Sequence, residues 1–524
     1  MARFKLVDYH QDLLLSVTLA KQLVPGSFEW AVHELIEGGR INLSAFDEHY
    51  NNDATGRLAY DPRILLKIVL VSYARGVLSS RKMERLCREN VTFMALTCGS
   101  EPDHSTLAAF ITRMGDVAQT LFTNILLICE QEGLLAGTHL SIDGTKLSAN
   151  ASKEWSGKHA DLAQKRDNIR TIIDDHIKQH QACDQAEEGD DHLKSEQRLT
   201  RLQKSADKID AFLEQSQPRI GSGGTEIQSN ITDPESAKMS TSHGVIQGYN
   251  ANAVVDDKHQ VIVAGEAFGS GTDHATLPSL LEQTEDNLAQ AGHSSDIADI
   301  TITADTSYFS QTNMQACAKH KVDAFIPDPR FRQRDPQLHE AKRFRRPTLL
   351  KPDKPTLKQT PNKPTLFKPK DFIHEPEHNR LLCPAGNYLY SSGSRSVHKG
   401  RRIHTFQGPK SACQNCKLRH QCLRKPDKTP TRQVRLFGEH VAVADTKKPT
   451  LAQRMREKID TLRGRKTYRK RIAIVEPVFA NMCTHKGMRT FTLRTQAKVN
   501  AQWLVYCMVH NIGKIARYGG LTTT

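Results

Sequence analysis

Two β-rich apolar runs, each finishing on an aspartate, constrain this chain more than any other feature. Leu140-Ser141-Ile142-Asp143 leads into Gly144-Thr145, and Ile300-Thr301-Ile302-Thr303-Ala304-Asp305 leads into Thr306-Ser307-Tyr308. Between them lie Tyr249 to Val255 and Gln260 to Ala264, separated by Asp256-Asp257-Lys258-His259. Polar turn residues between β-rich runs are the pattern of a hairpin. Helical patterns follow at 275–290 and 311–319, then a short strand at Val322 to Pro327. Strand, hairpin, helix, strand, helix, strand predicts a mixed α/β sheet. Asp143 and Asp305 then fall at strand carboxyl ends, where open α/β sheets place their sites. A third acid, Glu476, stands in Tyr468-Arg469-Lys470-Arg471 to Phe479 on a later helix. Three carboxylates so placed suit a pair of Mg²⁺ (or Mn²⁺) ions, the arrangement that activates water and stabilises a leaving oxygen in phosphodiester displacement.

The flanking sequence is basic and helical. A formal charge of +15 over 524 residues makes nucleic acid the natural polyanionic partner. A chain of this length predicts roughly two to four domains. Asp61-Pro62 is a helix start, with a capping acceptor followed by Pro where its missing N–H costs nothing. Ile64, Leu65, Ile68, Val69 and Tyr73 recur at helical spacing up to Gly76. Ser79-Ser80 caps a second helix, Arg81 to Asn90, whose exposed face carries Arg81, Lys82, Arg85 and Arg88. A third helix is predicted from Leu107 to Met114. Three short helices with a basic face suggest a helix-turn-helix-like DNA-binding unit; an ordinary bundle with a solvated charged face has the same pattern.

Residues 155–217 are highly charged, with apolar positions at helical spacing, and read as an inserted helical hairpin turning at Glu187 to Asp191. From 329 to 375 the chain is basic and Pro-rich, with Arg346-Pro347-Thr348-Leu349 echoed at Lys354 and Lys363, which predicts an extended linker. Cys383, the Cys413-Gln414-Asn415-Cys416 pair and Cys422 follow. That set has the makings of one structural Zn²⁺ site, with His404 or His420 as substitutes; reduced thiols packing a small β-rich insert are the alternative. The apolar pattern from Val499 to Ile515 marks an amphipathic helix suited to core packing. No run of about 18 apolar residues occurs, and the start of the chain lacks the apolar block of a secretion signal. Scattered cysteines, odd in number at eleven, suit a reducing cytoplasm.

Taken together, these residues resemble the DDE transposases of bacterial insertion sequences, in the branch with a helical amino-terminal domain. Asp143-Gly144-Thr145 is similar to that family's first aspartate motif, Ala304-Asp305-Thr306-Ser307-Tyr308 to its second, and Tyr468, Arg471 and Glu476 to its third-acid signature. Pattern similarity covers nearly the whole chain. The resemblance implies an RNase H-like core with an all-α domain at 1–135 and the first strand at 136–154. It also implies a helical insertion at 155–217, further core at 240–328, a linker at 329–375, a cysteine-rich insertion at 376–450 and the Glu476 helix with C-terminal helices at 451–524. Asp143, Asp305 and Glu476 would be the catalytic metal ligands. Tyr468, Arg471 and Lys486 would touch double-stranded DNA at the element ends, and a homodimer would join two ends in the nucleoid. Three departures stand out: Ser307 where Gly is common, Cys483 where a Lys is usual, and Arg471 one residue further from Glu476 than in the commonest form. Two other activities share these features: a DNA-binding derivative without cleavage that acts as a repressor, and a nuclease of the same fold without strand transfer.

Overall fold

The computed structural model describes residues 17–49, 58–183, 191–221, 224–242, 244–337, 366–398, 401–440 and 449–521. They form two compact units, one of residues 1–339 with 451–524 and one of 340–450.

The larger unit is organised by a mixed sheet. Its strands are β1 (His139–Ser148), β2 (Gly244–Asp256), β3 (Ile262–Phe268), β4 (Thr301–Ala304) and β5 (Asp323–Phe325), in the order β3-β2-β1-β4-β5. The first three form an antiparallel meander, and β4 and β5 run parallel to β1. A short strand, Ala237–Thr241, also pairs with β2. This is a mixed α/β sheet of the RNase H-like kind, as the alternation of strand and helix patterns predicts. β2 is buried through most of its length, and its run of apolar and Asn residues reflects cover on both faces.

One correction concerns β1. It does not stop at Asp143 but continues to Ser148, paired with β2 throughout. Only its parallel partner ends there: the last β1–β4 pair is Ile142 with Ala304, so Asp143 and Asp305 are next in register. Asp305 leaves the sheet and caps a short 3₁₀ turn, Thr306–Tyr308.

The helical region before β1 comprises α1 (Phe28–Glu37), α2 (Pro62–Ala74), α3 (Ser80–Glu89), α4 (Val91–Leu96) and α5 (His104–Gln131). Asp61 accepts from Arg63 N at the start of α2, and Gly76 takes φ +70° just past its end. The third helix is much longer than the predicted 107–114. Asp103 caps it, and buried residues from Leu107 to Cys129 keep it on the core beyond Gly115. These helices share one hydrophobic core with the sheet rather than forming a separate domain. The insertion between β1 and β2 is a pair of helices, α6 (His159–Cys183) and α7 (Asp191–Gln215); most of its predicted turn lies outside the described residues.

After β3 come α8 (Leu277–Gln290), α9 (Gln311–Lys319), α10 (Leu451–Asp460), α11 (Leu462–Ala480) and α12 (Gln496–Tyr518). α12 is buried from Val499 to Ile512 on nearly every face. Its polar side chains close the open edge of β3. Asn511 pairs both ways with Ile262 through its amide, at 2.8 Å each, and Asn500 and Gln496 do the same for Ala267 N and O at 2.7 and 2.9 Å. Buried strand-edge groups need such partners. α11 contains Pro477, which cannot donate to the Ala473 carbonyl; Gln260 Nε2 does so instead, at 3.0 Å.

The smaller unit is an antiparallel meander of Ile373–Glu375, Arg380–Leu382, Tyr388–His398, Arg401–Gln407 and Gln433–His440. Phe372, Leu381, Leu389, Phe406 and Val434 form its core. The end of the predicted linker therefore belongs to this unit; the Pro-Thr-Leu repeats up to residue 365 lie outside the described residues. Among the described residues, no helix is long and apolar enough to cross a membrane.

Candidate active site

The register that ends at Ile142–Ala304 sets two carboxylates side by side over an open cleft of about 650 Å³. Asp143, Asp305, Asp273, Ser307, Asn250 and Arg489 are among the residues lining it. Gly144 follows Asp143 because there is no room for a side chain: an added Cβ would lie 2.9 Å from Asn250 Oδ1 and 3.1 Å from Asn252. Those asparagines on β2 carry the next layer of contacts. Asn250 donates to Asp273 Oδ1 at 2.5 Å, and Tyr308 hydroxyl donates to Asn252 Oδ1.

Asp273 was not singled out by the sequence. It sits in a loop after Gly269-Ser270-Gly271-Thr272, and only the fold brings it to the cleft. Ser307 Oγ lies 2.6 Å from Asp273 Oδ2 and 2.5 Å from Asp305 Oδ1. One hydroxyl has one proton, so it cannot donate to both acids at once. Ser307, a departure from the commoner Gly, is therefore the bridge between two acids. The Tyr308 phenol is held well above its ordinary range, chiefly by complete burial, with Asp273, Asp143 and Asp305 adding to the effect.

Arg471 reaches the same place from α11. Its Nη1 donates to Asp143 Oδ2 at 2.8 Å, both groups being largely buried, and its Nε has no acceptor. Burial is the main influence on Asp143 and raises its pKa; Arg471 opposes the rise and Asp305 adds to it. Tyr468 packs edge-on against Phe331, ring centres 5.5 Å apart, and burial raises its phenol pKa.

Glu476 is elsewhere. It is exposed on α11 and does not line the cleft. The reason is helical geometry. Residues five apart are turned by about 140°, so burying Arg471 and Val475 points Glu476 away from Asp143. Among the described residues, no three His, Cys, Asp or Glu side chains converge closely enough to hold a metal ion. The donors present at the cleft are nevertheless carboxylate, hydroxyl and amide oxygens, the set a hard cation takes.

The remaining predicted residues are dispersed. Arg85 pairs with Glu89 at 2.7 Å, and Arg88 with Glu84 and Glu101 at 2.8 and 3.1 Å. Arg81 and Lys82 are exposed, have no ionic partner among the described residues, and line a shallow cleft with His104 and Thr492. Lys486 lies away from Asp143, over the Phe28 ring. Arg489, three residues on, is the cation that lines the acidic cleft, together with Lys146. In the smaller unit Cys383, Cys413, Cys416 and Cys422 line one cavity; His404 and His420 do not. Burial raises the Cys422 thiol pKa, Arg432 opposes it, and the three other thiols add to it.

Two family models match the chain: "Transposase DDE domain" over residues 382–516 and "Transposase domain (DUF772)" over 18–113. No curated protein matches it. The two matches, one toward each end of the chain, are consistent with a DDE transposase of insertion-sequence type.

Proposed function

We propose that this transposase cuts phosphodiester bonds at the ends of its own insertion sequence and joins the freed 3′ ends to target DNA. The carrying observation is the adjacency of Asp143 and Asp305 on parallel strands of the core sheet, with Lys146 and Arg489 lining the same cleft. A hard divalent cation, Mg²⁺ or Mn²⁺, bound by these two carboxylates would supply Lewis-acid polarisation and an activated water. Asp305 is oriented for this by Ser307, and Ser307 by Asp273. Arg471 has a spare buried N–H and a planar fork suited to a phosphate. Lys146 and Arg489 attract the backbone to the cleft. For Glu476 to hold a second cation, α11 must turn so that its carboxylate enters the cleft. Exposed Arg81 and Lys82 on α3 are the DNA-contacting candidates of the helical region. A homodimer would bring two element ends together on double-stranded DNA.

The test is incubation of purified protein and Mg²⁺ with linear DNA carrying the element ends, beside Asp143→Asn and Glu476→Gln. Nicking by the parent and not by Asp143→Asn, with joined products, supports the reading. Cleavage retained in Asp143→Asn rejects it. Cleavage lost in Glu476→Gln would mean that α11 turns on DNA. The outward Glu476 favours one second reading, a DNA-binding derivative without cleavage. Binding without nicking by the parent selects that one.

In the smaller unit, the four-thiol cavity is proposed to close around one structural Zn²⁺. Elemental analysis giving less than about 0.2 zinc per chain would reject a tetrahedral thiolate site.

A further inference from the structure

A second cleft, of about 330 Å³, lies between the start of α1, the end of α2 and α12, away from Asp143. It gathers four cations, Arg75, Lys486, Lys514 and Arg517, against a single carboxylate, Glu29. That carboxylate is already taken: Arg75 donates to Glu29 Oε1 from Nε at 3.1 Å and Nη2 at 2.8 Å. Lys514 Nζ donates to the neutral Gln260 Oε1, at 3.1 Å, and lies over the Tyr518 ring, 5.9 Å from its centre. Lys486 Nζ has no hydrogen-bond acceptor among the described residues, only the face of Phe28 at 5.5 Å.

Such an arrangement is unfavourable as it stands. Charged amines in poorly solvated positions are stable only when paired, and like charges together add to the cost. The pKa directions agree: burial first, then Lys514, brings Lys486 down to about 8, and burial first, then Arg517, lowers Lys514. His510 supplies an independent sign. It is 2% exposed and lines the same cleft; Nε2 donates to Gln260 O at 2.8 Å, and Nδ1 has no partner. A buried nitrogen without a partner is destabilising unless something fills the space beside it. Arg517 is exposed, so the cleft is reached from solvent.

We infer that this cleft binds a phosphate group. A phosphate, with one or two negative charges and several acceptor oxygens, matches surplus cations that no protein carboxylate neutralises, and Arg517 offers a fork to it. The ligand, or a water it holds, would bring the donor that His510 Nδ1 lacks. Two sources share this chemistry, a DNA backbone phosphate and a small phosphorylated molecule. The site stands apart from the chemistry at Asp143, so its failure would leave that proposal untouched.

The experiment titrates the full-length protein with inorganic phosphate, against chloride at equal ionic strength, by calorimetry and thermal unfolding. The parent should bind one phosphate per chain and unfold at higher temperature in its presence. Lys486→Gln and Lys514→Gln should each weaken phosphate at least about tenfold. Because each removes an uncompensated charge, the ligand-free variants should unfold at the same or a higher temperature. Exposed Arg517→Gln, which threatens the fold least, should also weaken phosphate. No preference for phosphate over chloride in the parent overturns the inference. So does a set of variants that lose ligand-free stability yet bind phosphate as the parent does. A short DNA duplex that displaces phosphate identifies the backbone as the source; unimpeded binding identifies a small molecule.

Discussion

Arg471 Nη1 and Asp143 Oδ2, 2.8 Å apart, tie α11 to the middle of β1. Arg471, and not the third acid of the signature, is the α11 side chain that meets Asp143, and the two are separated by the azimuth of a single helix.

Removing one member of a buried pair leaves the other uncompensated. Arg471→Met should cost about 3 kcal/mol in urea unfolding at neutral pH. The pH dependence has a definite sign. Asp143 already has a raised pKa, and loss of Arg471 raises it further. A carboxyl whose folded pKa exceeds its unfolded value costs stability above the folded pKa, and that cost fades as pH falls toward the unfolded value. The gap between variant and parent should therefore narrow on acidification; a gap that widens would refute this account.

Gly144→Ala places a methyl 2.9 Å from Asn250 Oδ1. Overpacking of this kind costs about 1–3 kcal/mol. Since Asn250 also holds Asp273, DNA cleavage should fall by more than the stability loss explains. Unchanged melting and cleavage would show that the two asparagines yield freely.

The carbonyl of Ala473 tests the role of Pro477. Gln260→Ala should cost about 2 kcal/mol, since it removes both the donor to Ala473 O and the acceptor of Lys514 Nζ, each an intramolecular hydrogen bond worth about 1 kcal/mol. In a Pro477→Ala background, residue 477 gains an N–H for Ala473 O, and the same change at Gln260 should cost less. A double-mutant cycle by chemical denaturation measures the difference, and strict additivity would contradict the assignment.

Burial, the larger effect, lowers His510 to about 3, with Lys514 and Lys486 adding and the Gln260 carbonyl opposing. The unfolded chain then takes up a proton near the ordinary imidazole pKa of 6.5 while the folded protein does not. Stability should decline as pH falls below about 6.5, with a slope from this group of about 1.4 kcal/mol per pH unit. His510→Gln should flatten the profile between pH 6.5 and 5, and an unchanged slope would remove His510 from the account.

The sequence predicted the sheet well because its determinants are local. The helix at 311–319 recurs residue for residue, and the hairpin recurs with different bounds, its strands spanning Gly244–Asp256 and Ile262–Phe268 instead of 249–255 and 260–264. Asp143 and Asp305 were legible because each ends a β-rich run. Asp273 was not, since a loop aspartate after glycines has no periodicity; Ser307 and Asn250, remote in sequence, give it its position. The facing of Glu476 was equally hidden. The signature puts it on a helix, but the rotation of that helix is decided by which side chains the sheet buries, and Arg471 with Val475 won. Lys486 lies away from Asp143 for the same reason, its segment being anchored by packing that involves Phe28 and α12.

The amides of Asn511, Asn500 and Gln496 along β3 have a further consequence. An uncovered strand there would be a template on which any extended peptide could build. Here the template is already read out by a helix of the same chain. A second copy of the protein therefore cannot join by extending the sheet from β3, and a dimer of the proposed kind would have to use another surface.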